Sequence, residues 1–483
     1  MNSMVFVIIM HRFPHFPSLS FWLLPAALLV AAFPATAWKP ASNSAPNPAS
    51  HLAPTPPMGW NSWDAYGLTI NEADFRANTA VVASLRSLGW KYSVIDEGWY
   101  MQDPFGANVE KQAFQFDSNG RLIPALNRFP SAANGAGLKP LADSVHAQGL
   151  LFGIHLVRGI PRESVRRNTP IADSSFTAAQ AGDTTDVCPW DNGNYGVRDN
   201  PAGQAWYDSM IALYASWGVD FLKVDCISDH PYKPTEIRQI AAAIRKSGRP
   251  IVLSLSPGPT ALANAAEVTR YANMWRIADD HWDVWSHIPE PGKGEFPLGT
   301  RQAFDRLAAW QPWAGPGHWP DEDMLPFGSL QPHPGWGQPR QSRFTQEEER
   351  TEFILWAVAR SPLILGANLT QLDDFTRSLI TNKTLIAMNQ EASVSHPMQA
   401  LPTSFDDIRI WQSVIPSGPG AGRYLAIFNL RDQPASLTLP WAGLGLGRKK
   451  IASTDIFTGK RAAANKAGQI TLEAHAATVL RIE

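Results

Sequence analysis

The sequence predicts an α/β protein, a (β/α)8 TIM barrel followed by a small C-terminal antiparallel β-sandwich domain. From Met58 onward, short apolar β-type runs alternate with longer segments of helical period, and eight such pairs can be counted. Buried parallel strands need crossover helices, so this alternation favours a barrel, with a doubly wound sheet as the structural alternative. After about Gln390 the helical period disappears, and short β-type runs separated by turn residues predict the sandwich.

The barrel is assigned to residues 55–390, and its candidate strands are short and apolar. They are Met58–Trp63, Tyr92–Asp96, Leu151–Val157, Phe221–Asp225, Ile251–Ser256, Met274–Ala278, His318–Leu325 and Leu363–Ala367. The helices predicted between them include Glu72–Ser87, Ala202–Trp217, Pro234–Lys246, Thr260–Tyr271, Arg301–Trp310 and Gln346–Ala359. Thr345 and Glu348 form a capping box that predicts where the last helix begins. Several helices are expected to end at a left-handed glycine, at Gly89, Gly218 and Gly248.

The C-terminal domain is assigned to residues 391–483. Its predicted strands are Ile408–Ser413, Tyr424–Asn429, Ala435–Leu439, Lys450–Asp455 and Ala477–Ile482. We expect this domain to support the barrel by packing against it. A sugar-binding module that uses Trp441 is the alternative.

The N-terminus predicts export. Residues 1–37 have the pattern of a signal peptide, with an apolar run over Phe21–Phe33 and a small-x-small cleavage site that ends at Ala37. Residues 38–54 are rich in Pro, Ala and Ser and predict a tether. We therefore expect a periplasmic or extracellular protein. The chain has only two cysteines, Cys188 and Cys226, so a disulfide scaffold is excluded, while one bridge between them stays open.

Composition excludes other classes of protein. The chain has 41 Lys and Arg and 43 Asp and Glu, a formal net charge of −2, which provides no field to hold nucleic acid. No stretch after the leader is long and apolar enough to span a membrane. The 19 Trp outnumber the 9 Tyr, and several lie beside acids, at Trp60, Trp63, Trp99, Trp282 and Trp319.

Acidic residues recur where the predicted strands end, at Asp96, Asp225, Asp279, Asp280, Asp321 and Asp323. One such Asp is usually a turn or helix-cap residue, but parallel strands of a barrel open on one face, so four strands would aim acids at one pocket. Glycoside hydrolysis and a metal site both fit such a cluster. Lys223 and Arg276 lie among the acids, and no HxH or HExxH pair exists, so we predict neither a metal nor a cofactor. His155 and His318 are more typical of structural hydrogen bonding.

Flat aromatic walls beside carboxylates suit sugars, which present apolar faces and polar edges. Trp60, Trp63, Trp99 and Trp319 are therefore expected at the barrel mouth. Another four tryptophans are expected to fill the core, namely Trp190, Trp217, Trp310 and Trp356.

At these residues the sequence resembles glycoside hydrolase family 27, the α-galactosidase family of clan D. The matching motifs occur in family order and are Thr55-Pro-Pro-Met-Gly-Trp-Asn-Ser-Trp63, Val94-Ile-Asp-Glu-Gly-Trp99, Lys223-Val-Asp225, Trp275-Arg276, Trp319-Pro-Asp-Glu-Asp-Met-Leu325 and Ser361-Pro-Leu-Ile-Leu-Gly366. The resemblance implies a retaining double displacement, with Asp225 as the nucleophile and Asp280 as the acid/base. Asp280 is preferred to Asp279 because of its spacing from Arg276.

The resemblance also implies substrate contacts. By similarity Trp63 walls the sugar, Asp96 binds its hydroxyls, Lys223 keeps Asp225 ionised, and Arg276 and Asp323 hold the hydroxyl next to the anomeric carbon. His155 stands near the nucleophile, where relatives often have Tyr. The implied substrates are oligosaccharides or polysaccharide side chains that contain galactose or L-arabinopyranose.

Two departures bear on the sugar. Glu97 stands where α-galactosidases of this family usually have an Asp that binds the 4- and 6-hydroxyls of galactose. Family members that act on β-L-arabinopyranosides carry such a Glu, and their sugar lacks the exocyclic CH2OH. The segment Ile251–Gly258, at the family's 2-position recognition loop, matches neither known pattern. We therefore predict an exported α-galactosidase, with β-L-arabinopyranosidase activity, alone or in addition, as the alternative. A non-catalytic sugar-binding protein is disfavoured because it would not need both Asp225 and Asp280.

Overall fold

The computed structural model describes residues 52–104, 114–287, 297–331, 338–398, 405–441, 444, 446, 451–462 and 468–483. The predicted signal peptide and all but the last three residues of the predicted tether lie outside this part of the chain. Within it, no helix has the length and apolar character needed to cross a bilayer.

Eight parallel strands form the central sheet. They are β1 (Met58–Asn61), β2 (Tyr92–Ile95), β3 (Leu151–Val157), β4 (Phe221–Asp225), β5 (Val252–Leu255), β6 (Met274–Arg276), β7 (Trp319–Asp321) and β8 (Leu363–Leu365). Their order in the sheet is β7-β6-β5-β4-β3-β2-β1-β8. Leu325, just beyond β7, forms a parallel bridge with Leu365 of β8, and this bridge closes the ring. The predicted (β/α)8 barrel and its eight strands are confirmed.

These segments form strands because they can be buried on both faces. All four residues of β2 and all three of β8 are buried. Such continuous apolar runs are typical of parallel strands that have side chains inside the ring and helices outside it.

Helices cover the outside of the ring. In the described ranges the α-helices are Trp63–Tyr66, Glu72–Ser84, Lys139–Ala147, Arg162–Arg167, Ala178–Ala181, Pro201–Trp217, Pro234–Ser247, Ala265–Tyr271, Thr300–Trp310, Gln346–Ala359, Asp374–Ile380 and Lys383–Glu391. The capping box of Thr345 and Glu348 is present, and Gly218 and Gly248 end their helices in the left-handed conformation.

One predicted helix begins later than expected. Thr260–Tyr271 was predicted as helical, but the α-helix starts at Ala265 after a short 3-10 turn. The cause is local: the backbone N–H of Thr260 donates to the carbonyl of Arg276 at 3.1 Å, and Ala261 has an extended conformation. The hydrogen bond to the end of β6 therefore keeps Thr260 and Ala261 out of the helix.

A small antiparallel sheet lies between β3 and β4, and the sequence patterns did not predict it. Asn194–Val197 is its middle strand and pairs with Ile160–Pro161 on one side and with Gly182–Val187 on the other. This excursion lies beyond the end of β3, on the side where the acids lie. It carries the segment 188–193 toward the barrel mouth.

The C-terminal domain is antiparallel, as predicted. Its strands are Val394–Pro397, Ile408–Ile415, Gly422–Asn429, Ala435–Thr438, Ser453–Asp455, Arg461–Ala462, Gln469–Leu472 and Ala477–Ile482. Six of them form one sheet, and Ala435–Thr438 pairs with Gln469–Leu472 in a second. Phe405, Ile427 and Leu437 belong to the apolar core of the domain.

The C-terminal domain packs closely against the barrel. His475 stacks on Trp285 with ring centroids 4.1 Å apart, and its Nδ1 lies 2.8 Å from Glu348 Oε1. Arg301 pairs with Asp407 at 2.8 Å. These contacts support the predicted packing role.

Candidate active site

The predicted site residues converge at the carboxyl ends of the strands. The sites of (β/α)8 enzymes are built at this face. The nine residues come from six strand ends: Trp63 follows β1, Asp96 and Glu97 follow β2, His155 is on β3, Lys223 and Asp225 are on β4, Arg276 and Asp280 are at and beyond β6, and Asp323 follows β7.

Four of these residues form what we call the lysine cluster: Asp96, His155, Lys223 and Asp225. Lys223 Nζ donates a hydrogen bond to Asp96 Oδ2 at 2.9 Å. His155 Nε2 lies 3.5 Å from Asp225 Oδ2 and 3.9 Å from Asp96 Oδ1. Asn61 also donates to Asp96 Oδ2, at 2.6 Å. Lys223 and His155 thus lie beside the two acids Asp96 and Asp225.

The lysine cluster favours ionised carboxylates. Burial raises the pKa of Asp225, but the hydrogen bond from His155 and the charge of Lys223 outweigh it, so the pKa lies below its usual value. Burial likewise opposes ionisation of Asp96, but Lys223 and His155 bring its pKa well below the usual range. Both acids are therefore anionic at neutral pH.

The arginine cluster consists of Arg276, Asp280, Asp321 and Asp323. Arg276 Nη2 lies 2.7 Å from Asp323 Oδ2 and 3.3 Å from Asp280 Oδ1. Arg276 and Asp323 are buried, whereas the side chain of Asp280 is 44% exposed. Asp280 is therefore the acid of this cluster that an incoming substrate can reach.

The arginine cluster raises the pKa values of its acids. Although its side chain is partly exposed, Asp280 loses part of its solvation to the surrounding protein, and this raises its pKa. The charges of Asp225 and Asp279 add to the shift, and Arg276 only partly compensates. Burial, with the charges of Asp280 and Asp321, raises the pKa of Asp323 to about 6 despite Arg276. One cation faces three acids here, so their ionisation is disfavoured.

Asp279 and Asp280 have different partners. Asp279 Oδ1 accepts the backbone N–H of Asp280 at 2.8 Å, so the Asp279 carboxylate closes a local turn. The Asp280 carboxylate instead contacts Arg276 and interacts electrostatically with Asp225. This geometry favours Asp280 for chemistry that also involves Asp225.

Asp323 has an uncommon backbone conformation, with φ at +105°. A non-glycine residue in such a region costs on the order of 1–3 kcal/mol. Four hydrogen bonds hold it: its N–H donates to Asp321 Oδ1, its Oδ1 and Oδ2 accept the N–H groups of Met324 and His281, and its carbonyl accepts Trp356 Nε1. The result is a carboxylate fixed against Arg276.

Glu97 is hydrogen-bonded to another acid, Asp191, which the sequence analysis did not identify. Burial raises the pKa of Glu97 well above its usual value, and the charge of Asp191 and its hydrogen bond, followed by the charges of Asp225 and Asp96, raise it further. Asp191 is buried and accepts the N–H of Gly193 on Oδ1 at 2.7 Å. The only sequence signal for Asp191 was its position three residues after Cys188.

Cys188 and Cys226 form a disulfide, with Cα atoms 6.0 Å apart. The sequence alone did not decide whether this disulfide forms. Cys226 directly follows Asp225, so the bridge attaches the excursion between β3 and β4 to the end of β4.

The tryptophan prediction is corrected. Trp60, Trp99 and Trp319 are fully buried, and each indole N–H donates to a backbone carbonyl at 2.8 Å, so they are core residues and not sugar walls. Flanking an acid in sequence did not mean facing the pocket: Trp60 packs against Phe75 of an outer helix, Trp99 donates to the carbonyl of His155, and Trp319 donates to the carbonyl of Ala53. Trp63 is partly exposed and stays a candidate wall.

The core prediction is also wrong for one tryptophan. Trp190 is 44% exposed, with its ring centroid 5.1 Å from that of His230. It lies between Cys188 and Asp191, on the segment that the disulfide attaches to the end of β4 at the barrel mouth. Trp217, Trp310 and Trp356 are buried as predicted.

Asp64 is a second acid that the sequence analysis missed. Its side chain is buried, and in the described part of the chain Oδ2 has no hydrogen-bond partner. Burial, with the charges of Asp323, Asp280 and Asp96, raises its pKa well above the usual value. Its position directly after Trp63 was the available signal. Among the described residues no group of three His, Cys, Asp or Glu side chains is arranged so that it could hold a metal ion.

Known proteins resemble this chain over most of its length. The family model described as alpha galactosidase A matches residues 188–391, and the alpha galactosidase C-terminal β-sandwich domain matches residues 405–482. A solved β-L-arabinopyranosidase of glycoside hydrolase family 27 from Geobacillus stearothermophilus is 37% identical, with a TM-score of 0.81 over 91% of this chain and 98% of that one.

The chain belongs to glycoside hydrolase family 27. Two curated members of other specificity are more distant. Alpha-galactosidase A of Cellvibrio japonicus is 29% identical over 85% of this chain and 84% of its own length. An alpha-N-acetylgalactosaminidase of Gallus gallus is 29% identical over 70% and 71%. The family thus includes three sugar specificities, and membership indicates a glycosidase of galactose- or arabinose-containing substrates without fixing the sugar.

Proposed function

We propose that this protein is a retaining exo-glycosidase, with Asp225 as the nucleophile and Asp280 as the acid/base. The observation that carries the proposal is the opposite direction of the two pKa shifts at one barrel mouth. The pKa of Asp225 is lowered and that of Asp280 is raised. Two carboxyl groups whose environments separate their pKa values are what acid and nucleophile roles require.

In the first step an Asp225 oxygen attacks the anomeric carbon while the bond from that carbon to the leaving oxygen breaks. Asp280 gives its proton to the leaving oxygen. In the second step Asp280, now ionised, takes a proton from water, and that water displaces Asp225 from the anomeric carbon. The sugar leaves with its original anomeric configuration.

The proposed sugar has the galacto configuration, and we place β-L-arabinopyranosides first. Glu97 is held at the mouth, and a relative that is 37% identical acts on that sugar. A Glu that reaches one methylene further than an Asp leaves less room for the exocyclic CH2OH of galactose. α-D-Galactosides are the second candidate, favoured by the matching family model and by the 29% identical relative.

Kinetics on p-nitrophenyl β-L-arabinopyranoside and p-nitrophenyl α-D-galactopyranoside test both parts of the proposal. A higher kcat/KM on the arabinoside supports the proposed order, and a higher value on the galactoside reverses it. Hydrolysis of neither would overturn the proposed function. Proton NMR of the first-formed product should show the retained anomer, and the inverted anomer would exclude the double displacement.

The variant Glu97→Asp tests the role of the longer side chain. Removal of one methylene should move the preference toward galactoside by roughly 10- to 200-fold, the range of about 1–3 kcal/mol for such a difference. The ratio of kcat/KM on the two substrates measures it. An unchanged ratio would remove Glu97 as the determinant.

We further propose that the chain is exported and cleaved after Ala37. The support is the apolar leader and the Cys188–Cys226 disulfide, since such bridges persist mainly in oxidising compartments. N-terminal mass analysis of the protein from its native host should find a chain that begins at Trp38. A chain that retains the leader would contradict this.

A further inference from the structure

We propose that Asp191 is a positioning residue that sets the sugar preference by holding Glu97 at the barrel mouth. The inference rests on the proposed function, because it assigns to Glu97 the discrimination between pentose and hexose. Asp191 itself need not touch the sugar.

The first support is the chemistry of the contact. Two carboxyl groups can hydrogen-bond to each other only if one of them keeps a proton. Asp191 Oδ1 already accepts the N–H of Gly193, so the Asp191 carboxylate is placed as a hydrogen-bond acceptor. Glu97 lies near the negative charges of Asp225 and Asp96, which oppose its ionisation. The proton therefore resides on Glu97, whose O–H donates to Asp191.

The second support is the rigidity of the segment that carries Asp191. On one side of it, Cys188 is bonded to Cys226 at the end of β4. On the other side, Asn194 Nδ2 donates to the carbonyls of Val157 and Arg158, at and just beyond the end of β3, at 3.0 and 3.1 Å. Asp191 is thus fixed to the ends of two strands that also carry His155 and Asp225.

The consequence is a fixed, neutral Glu97. Its backbone N–H donates to Asp96 Oδ1 at 2.9 Å, and its carboxyl group is held by Asp191, so the side chain is restrained at both ends. A restrained Glu97 excludes a bulky sugar substituent, whereas a free one can rotate away. A neutral Glu97 also adds no negative charge beside Asp225, which must be ionised in order to attack.

Two substitutions of Asp191 separate these effects. Asp191→Ala should release Glu97 and move the arabinoside-to-galactoside ratio of kcat/KM toward parity by about tenfold, the lower end of the discrimination attributed to Glu97. Asp191→Asn keeps an oxygen that accepts the Glu97 O–H, so it should keep the ratio within roughly twofold. Asp199→Ala changes an exposed acid of the same excursion and serves as the matched control, with no change expected.

The same change made without Glu97 tests whether Asp191 acts through it. In a Glu97→Ala background, Asp191→Ala should have no further effect on the ratio. An effect that persists there, or a ratio that Asp191→Ala leaves unchanged, overturns the inference. Thermal unfolding and a free-thiol count identify a variant that has lost the fold or the disulfide, and Asp191→Asn then decides alone: retained preference supports the inference, and lost preference overturns it.

Failure of this inference is distinguishable from failure of the proposed function. If the wild-type protein hydrolyses neither glycoside, the function itself is wrong. If it hydrolyses them with a clear preference that Asp191→Ala does not alter, only the role of Asp191 is wrong.

Discussion

The lysine cluster and the arginine cluster lie at the same mouth and each combines aspartates with a cation, yet they shift the pKa values of their acids in opposite directions. In the lysine cluster, Lys223 and His155 face two acids, and both acids have lowered pKa values. In the arginine cluster, Arg276 is the main cation for three acids, and their pKa values are raised.

The difference shows that burial does not decide which carboxylate is charged. It disfavours ionisation in both clusters, and the balance of nearby cations, hydrogen-bond donors and like charges sets the sign of the shift. A barrel can therefore hold identical side chains at different pKa values on different strands. The following four experiments test this, from the largest expected effect to the smallest.

Asp225→Ala should have the largest effect, because it removes the group that forms the covalent intermediate. We expect a loss of about 10⁴-fold or more in kcat on an activated arabinoside or galactoside. Added azide should partly restore turnover and give the glycosyl azide of inverted configuration. A variant with more than a tenth of wild-type activity would contradict the assignment.

Asp280→Asn should lower kcat by about 10²- to 10⁴-fold on a disaccharide, whose leaving oxygen needs a proton. The loss should be smaller on a p-nitrophenyl glycoside, which leaves without help. The alkaline limb of the pH profile should also vanish, since it reports deprotonation of Asp280. Asp279→Asn is the matched control. Its amide oxygen can still accept the N–H of Asp280, so kcat should fall by no more than about fivefold. Equal losses in the two variants would contradict the assignment.

Replacement of the cation in each cluster should move opposite limbs of the pH profile. Lys223→Met should raise the pKa of Asp225 and shift the acid limb of kcat/KM upward by about 1–3 pH units. Arg276→Met should raise the pKa of Asp280 and shift the alkaline limb upward instead. Both profiles are measured on one substrate. A shift of the same limb in both variants would show that the two clusters are not electrostatically distinct.

His155→Gln should have the smallest effect of the four. His155 Nε2 lies 3.5 Å from Asp225 Oδ2 and lowers the pKa of that acid, but a Gln side chain can still donate a hydrogen bond there. The acid limb should shift upward by about one pH unit, equivalent to ~1.4 kcal/mol of interaction with Asp225. A shift larger than that of Lys223→Met would reverse the ranking of the two side chains.

The barrel could be predicted from the sequence because its strands are short, continuous apolar runs that alternate with segments of helical period. The strand-end acids were also predictable, since parallel strands place their carboxyl ends together. The two clusters follow from that rule alone, and Asp96, Asp225 and Asp280 stand where it puts them.

Burial and long-range pairing could not be predicted in this way. Trp60 and Trp99 flank acids in sequence but have their rings in the core, where Trp60 packs against Phe75 and Trp99 donates to the carbonyl of His155. Asp191 is 94 residues from Glu97 in the chain, and only the disulfide and the antiparallel excursion bring it there. In the sequence Asp64 resembles an ordinary acid in the first turn of a helix, and only the structure shows that it is buried.

The C-terminal domain is not a removable module. His475 stacks on Trp285, which lies five residues beyond Asp280 on the same loop, and Arg301 pairs with Asp407. A truncated enzyme would expose Phe304, which packs edge-on against Phe428 of the C-terminal domain, and would free the loop that carries the proposed acid/base, Asp280. A chimaera that exchanges this domain between relatives must therefore carry matched residues on both sides of the junction, because the contacts between the two domains support the loop that carries Asp280.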